Sequence, residues 1–149
     1  MRIYADSSLL VSRLYPGDTH HADALACFRK YASATWITSA WSELETVNSL
    51  RQLCLRQPGP AMQVPEALRR LFRHWHEHGP FERAAISLDE GLRECGQLSA
   101  AHATTLRMRS ADVLHVALLE QINPDLFATR DREQYDLAVK RAFRSELVP

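Results

Sequence analysis

The sequence lacks the features of a secreted, membrane-spanning or highly charged protein. Eighteen Lys and Arg residues are matched by eighteen Asp and Glu, leaving no formal net charge. Capture of nucleic acid through bulk charge is thereby excluded, and any phosphate binding has to be local. Only three cysteines occur, Cys27, Cys54 and Cys95. Their odd number and the absence of C-x-x-C spacing exclude a disulfide framework and a zinc ribbon, and fit a reduced cytoplasm. No apolar run approaches the roughly 18 residues of a membrane span. The N-terminus enters a strand-like segment at once, as expected without a signal peptide. Internal repeats and low-complexity tracts are also missing. A chain of 149 residues reads as a single domain, 1–149, able to bury roughly two thirds of its unfolded surface.

The chain does show an alternation of short apolar strands with amphipathic helices. Arg2 to Ala5 is β-like, and Leu9, Leu10, Arg13 and Leu14 recur at helical spacing after Ser7 and Ser8, which suit an N-cap. Pro16 and Gly17 break the chain before a helix over His21 to Tyr31 and a strand over Ala34 to Thr38. A longer helix is expected from Ser39 to Arg56, with Leu44, Val47, Cys54 and Leu55 inward, ended by the linker-like QPGP. Val64 to His78 is amphipathic through Leu68, Leu71, Phe72 and Trp75. Phe81 to Ile86 reads as a short strand, and Ser87 with Glu90 as a capping box opening a helix to about Leu106. A helix over Ser110 to Gln121, a strand over Asp125 to Ala128 and a helix over Arg132 to Ala142 complete the pattern. Such alternation implies a parallel sheet covered on both faces, with ligands at the carboxyl ends of the strands.

Four acidic neighbourhoods lie beside these elements: IYADSS around Asp6, WSELETVNSL around Glu43 and Glu45, RSADVLHVALL around Asp112, and FATRDREQ around Asp131. Carboxylates gathered at one sheet edge suit a hard divalent cation. Each acid also has an ordinary role open to it. Asp131 can cap the last helix in a box with Gln134, Asp112 can oppose a helix dipole, and Asp6 can end a strand in an Asx-turn. Glu43 and Glu45 stand about 200° apart around a helix, so only one faces a given site squarely, and periodicity does not choose between them.

The stretches YADSS, TSAWSELETVNSL, SADVLHVALL and ATRD, in this order over nearly the whole chain, resemble the PIN domain, a family of metal-dependent ribonucleases that includes VapC-type toxins. The resemblance implies a three-layer α/β/α fold around a parallel sheet of about four or five strands. It also implies an endoribonuclease acting as the toxin of a type II toxin–antitoxin pair. By the same resemblance Asp6, Glu45 and Asp112 are the primary metal-site acids and Asp131 the fourth, often acting through water. Ser7 and Thr129 are hydroxyls that orient a carboxylate or a metal-bound water. Glu45 is preferred over Glu43 because the family places its Glu about six residues after the opening serine, here Ser39, which leaves Glu43 solvent-facing or second choice. The implied cofactor is Mg²⁺ or Mn²⁺, which can activate water, neutralise the phosphate and stabilise the leaving alkoxide. The implied partners are an RNA substrate, a cognate antitoxin whose tail occupies the acidic groove, and a second copy of the chain in a homodimer.

Phosphate contacts can come from Arg51, Arg56, Arg69, Arg70, Arg73, Arg107, Arg109, Arg130 and Arg132, against the ordinary reading of solvated helix faces. In HWHEHG, His74 and His78 share a helix face, but two histidines make an incomplete zinc site and surface roles are expected for His74, His76 and His78. His115 is expected to be a packed hydrogen-bonding residue, and Trp36, Trp41 and Trp75 to be core or dimer surface. A haloacid-dehalogenase-type phosphotransferase needs an acid two residues after Asp6, where Ser8 stands, and a receiver domain needs an acidic pair and a late lysine that are not evident. The remaining alternative is a non-catalytic PIN-like module that binds RNA or protein.

Overall fold

A computed structural model describes residues 1–55, 64–102 and 107–149. Its elements in chain order are β1 (Arg2–Ala5), α1 (Ser7–Leu14), α2 (His21–Lys30), β2 (Thr35–Thr38), α3 (Ala40–Cys54), α4 (Val64–His78), β3 (Phe81–Arg83) and α5 (Leu88–Ala101). They continue with α6 (Ser110–Ala117), α7 (Leu119–Ile122), β4 (Leu126–Thr129), α8 (Arg132–Lys140) and β5 (Ser145–Leu147). The QPGP stretch, Arg56 and the expected end of α5 near Leu106 lie outside the described residues.

The strands form one sheet in the order β3-β2-β1-β4-β5, parallel throughout. The chain builds outward from β1 through β2 to β3, then returns to lay β4 on the other side of β1. The order reverses between β1 and β4, and the crevice beyond their carboxyl ends is where open α/β sheets bind ligands.

Side-chain alternation divides the core into two layers. Tyr4, Ile37 and Phe127 pack with Cys95, Leu98, Val113, Leu114, Leu118 and Leu137 from α5 to α8. Ile3, Ala5, Trp36, Leu126 and Ala128 point the other way, onto Leu9, Leu10, Ala24 and Cys27 of α1 and α2. With both faces covered, strands such as RIYA and LFAT carry apolar side chains on each face. Leu50 of α3 with Leu68 and Phe72 of α4 makes a smaller third cluster.

Several sequence expectations are corrected. The buried face of α3 is Ser42, Thr46 and Leu50, while Leu44 and Leu55 are exposed. Hydroxyls can be buried there because each is satisfied locally: Thr46 Oγ1 donates to the Ser42 carbonyl at 2.6 Å, and Ser39 and Ser42 form a reciprocal cap. The Ser87 box closes on one side only. Its hydroxyl accepts from Glu90 N, but its own N–H goes to Gln121 Oε1 at 2.7 Å. The helix after Ser110 breaks at Leu118 and stops at Asn123, which takes the left-handed conformation (φ 45°). β3 is only three residues long, with Phe81 buried and Glu82 and Arg83 exposed. β5 was not expected as an element, because its three half-buried residues carry no apolar alternation.

Phe127 lies in the middle of the sheet with no exposed surface and its ring stacks on Tyr4 with centroids 5.8 Å apart. Phe127→Ala should cost about 3–5 kcal/mol, read as a lower urea midpoint at unchanged m-value.

Candidate active site

Asp6 follows β1 and is itself the N-cap of α1, in place of the expected Ser7 and Ser8. Its Oδ1 accepts from Leu9 N at 3.0 Å. The Ser8 hydroxyl lies 2.9 and 2.7 Å from the two carboxylate oxygens, and Thr129 Oγ1, at the end of β4, donates to Oδ2 at 2.9 Å. The residue has no exposed surface. Burial pushes its carboxyl above the usual aspartate range, against the opposing influence of His115, the Leu9 amide and the two hydroxyls.

Thr129 joins Asp6 to the next acid, since its Oγ1 also accepts from Asp131 N at 2.9 Å. Asp131 caps α8 by accepting from Gln134 N at 2.8 Å. The box is not reciprocal, because Gln134 Oε1 is buried without a partner among the described residues. Asp112 sits in the first turn of α6 and its N–H donates to the Arg109 carbonyl at 3.0 Å. Its carboxyl is held above the ordinary range by burial, by the charge of Asp131 and by that of Glu45, while the Arg109 backbone amide, bonding to the carboxylate itself, and His115 act the other way. Asp112 thus shares an electrostatic neighbourhood with Asp131 and Glu45.

Glu45 is reached through α3. Its Oε2 accepts from Ser7 Oγ at 3.1 Å and from His115 Nε2 at 2.5 Å. His115 is fully buried, and its Nδ1 faces the Tyr4 hydroxyl at 2.9 Å, which in turn meets Ser39 Oγ at 3.1 Å. A chain of polar groups therefore runs from the cap of α3 through the centre of the sheet to Glu45. Burial pushes the Tyr4 phenol well above its usual range, so its proton is retained at neutral pH.

Glu43 is not solvent-facing. With 13% of its side chain exposed, it accepts from Thr38 Oγ1 at 2.7 Å and pairs with His76 at 3.2 Å and Arg83 at 3.4 Å. This also corrects the surface role expected for His76, while His74 and His78 stack on each other with centroids 5.0 Å apart. Trp36 and Trp75 pack among Phe28 and Phe81, and Trp41 leaves its buried Nε1 without a partner among the described residues.

Of the arginines, Arg130 donates to Ser12 Oγ and the Pro149 carbonyl and lies 4.0 Å from Asp18. Arg51 donates to Asn48, Arg69 and Arg70 pair with Glu66, and Arg132 pairs with Asp136. Among the described residues Arg73, Arg107 and Arg109 have no carboxylate partner. Tyr4 and Ser8 were missed as site residues. A tyrosine in an otherwise apolar buried strand was the available signal, because its hydroxyl requires a partner.

Among the described residues no three carboxylate, imidazole or thiol groups stand as a ready-made ion cage. The donor chemistry nonetheless fits a hard cation. None of Asp6, Asp112 and Asp131 pairs with Lys or Arg among the described residues, and Mg²⁺ needs only one or two carboxylates because it keeps several waters.

No protein-family model matches the sequence, and no curated protein matches it. Solved structures do. VapC20 of Mycobacterium tuberculosis, described as a sarcin-ricin loop cleaving toxin, has a TM-score of 0.71 at 15% identity over 99% of each chain. FitAcB from Neisseria gonorrhoeae has a TM-score of 0.56 at 15% identity over 96% of this chain and 95% of its own. FitAB bound to an IR36 DNA fragment has a TM-score of 0.63 at 15% identity over 97% and 94%. Together with the five-stranded parallel sheet and its two helical layers, these likenesses over almost the entire length show that the chain has the PIN-type fold its sequence led us to expect.

Proposed function

We propose that the protein is a Mg²⁺- or Mn²⁺-dependent endoribonuclease and the toxin of a toxin–antitoxin pair. The observation that carries this reading is that the Thr129 hydroxyl joins Asp6 to Asp131 and Ser7, beside Asp6, holds Glu45 at the switch-point edge, with Asp112 feeling the charge of Asp131 and Glu45 and no Lys or Arg paired to Asp6, Asp112 or Asp131 among the described residues. Such a cluster holds uncompensated negative charge that a divalent cation would relieve. Similarity in fold to a sarcin-ricin loop cleaving toxin supports RNA as the substrate.

Asp6, Glu45, Asp112 and Asp131 would hold the ion. When bound, it supplies Lewis acidity toward the phosphate and lowers the pKa of water. The chain's own residues hold the carboxylates in place. His115 and Ser7 fix Glu45, Thr129 bridges Asp6 and Asp131, and Ser8 occupies a position on Asp6 that it must yield for that carboxylate to reach an ion. The exposed Arg107 and Arg109, just ahead of Asp112, are placed to meet RNA phosphates. A cognate antitoxin, a homodimer and a cytoplasmic location belong to the same proposal. Among the described residues no helix is long and apolar enough to cross a membrane.

The enclosure of Asp6 favours one second reading, a non-catalytic module that binds RNA or protein. Cleavage of single-stranded RNA separates the two. It should stop with a chelator, return with Mg²⁺ or Mn²⁺, and fall to background in Asp6→Asn, whose amide oxygen can still cap α1 but supplies no charge. Activity retained by that variant in a nuclease-free preparation would remove Asp6 from the site. In a bacterial host, induced wild-type chain should arrest growth while Asp112→Asn at equal soluble expression should not. Equal toxicity of the two would favour the binder.

The crowding also sets a pH signature. A carboxyl whose pKa is raised on folding costs stability once pH exceeds its unfolded value, and the cost grows until pH passes the folded value. Asp112→Asn should therefore raise the melting temperature at pH 7, measured with chelator present. The gain should vanish at pH below the ordinary aspartate range, where Asp112 is protonated in both states.

A further inference from the structure

We infer that the cavity between α3, α4 and the end of β3 is a nucleotide subsite for RNA, gripping a phosphate beside the bond cleaved at the acidic site. The inference rests on the ribonuclease reading above. The cavity has a volume of about 620 Å³, within the roughly 300–1,000 Å³ of small-ligand sites. Arg69, Arg73, Arg83 and His76 stand on its walls, and Phe72 and Val47 among its apolar lining. The acids on its lining are Glu43 and Glu77, and Glu43 is already paired to His76 and Arg83. In a chain with no net charge, this is a local excess of cationic groups. Among the described residues Arg73 has no carboxylate partner, and the only carboxylate on Arg69 is a distant, exposed Glu66 at 3.8 Å. Both guanidinium groups are therefore available to a phosphate at little cost.

Placement supplies the second half. Thr38 and Arg83 end β2 and β3 in register, so the cavity opens on the same carboxyl edge of the sheet as Asp6 and Asp131. From the end of β3 to the end of β1 is two strand spacings, about 10 Å. The first turns of α3 form the wall between the two sites, with Glu45 turned to the acidic side and Glu43 to the cavity side. A single strand laid along this edge would place one phosphate among the acids and a neighbouring nucleotide in the cavity. Arginine forks and an apolar floor are the pairing by which exposed RNA nucleotides are held.

The test uses the full chain and a short fluorescein-labelled single-stranded RNA of mixed sequence. Binding is measured by anisotropy in the Asp112→Asn background, where the RNA stays intact, and cleavage kinetics in the otherwise wild-type chain. Arg69→Gln with Arg73→Gln should weaken binding about tenfold and reduce the salt slope by about one for each phosphate that is no longer neutralised. In cleavage it should raise KM while leaving kcat near wild type. Arg29→Gln, on the exposed face of α2, should change none of these. Both groove arginines are exposed, and an unchanged thermal melt confirms that the fold is kept. Cleavage with unchanged KM, binding and salt slope in the double variant would overturn the subsite while leaving the ribonuclease reading intact. It would assign the cavity to another occupant, such as an acidic protein segment. A wild-type chain that neither binds nor cleaves RNA would overturn both readings together. Groove-dependent binding without cleavage would keep the phosphate grip but overturn the ribonuclease reading, and with it the place beside a cleaved bond.

Discussion

One carboxylate with no exposed surface holds the functional edge together. Asp6 ends the central strand, begins α1 as its cap, and accepts a hydrogen bond from the last residue of β4. A buried carboxylate without partners would cost several kcal/mol, and an amide with two hydroxyls offsets that cost here. The same bonds align β1 and β4, whose separation is the crevice of the switch point. The remaining acids depend on this alignment: Asp131 through Thr129, and Glu45 through Ser7 beside Asp6.

Ordinary structural roles and site roles are not alternatives in this fold. Asp6 and Asp131 both cap helices, and both stand at the edge where a cation would be bound. In each the cap uses one oxygen, Oδ1; the other is held by Ser8 and Thr129 in Asp6 and takes no part in the cap in Asp131, so the local rule that starts a helix also fixes where a carboxylate stands. α3 applies a similar economy to two glutamates. Their spacing sends Glu45 to His115 and Glu43 to His76 and Arg83, giving the helix two differently charged flanks.

How much of this was legible depended on whether a residue's role was set locally. Strands β1, β2 and β4 were readable because central strands are apolar on both faces, and the parallel sheet followed from their alternation with helices. β5 was not, since an edge strand of three half-buried residues has no pattern of its own. On α3 Val47 does pack inward, against the Leu50 and Phe72 cluster, but Leu44 and Leu55 were misread because leucines outweigh Ser42 and Thr46 in any apolar count. Burial of those hydroxyls depends on the Ser39 cap and on the backbone of the helix itself. The acids were visible as neighbourhoods, but their partners were not. Tyr4 and His115 lie 111 residues apart, and no local spacing announces that they meet. Arg130 adjoins Asp131 in sequence, yet its guanidinium is turned toward Ser12 and the Pro149 carbonyl.

The sheet ends on both sides in a strand of three residues, β3 and β5. An incoming strand would find few backbone donors and acceptors to pair with, and on β3 it would meet the exposed charges of Glu82 and Arg83. Edge-to-edge polymerisation through the sheet is thereby discouraged, even at the high local concentrations that follow synthesis on a polysome. Encounters with other molecules fall instead to side chains at the ends of the strands and on the helices, where charge and shape discriminate and main-chain pairing does not.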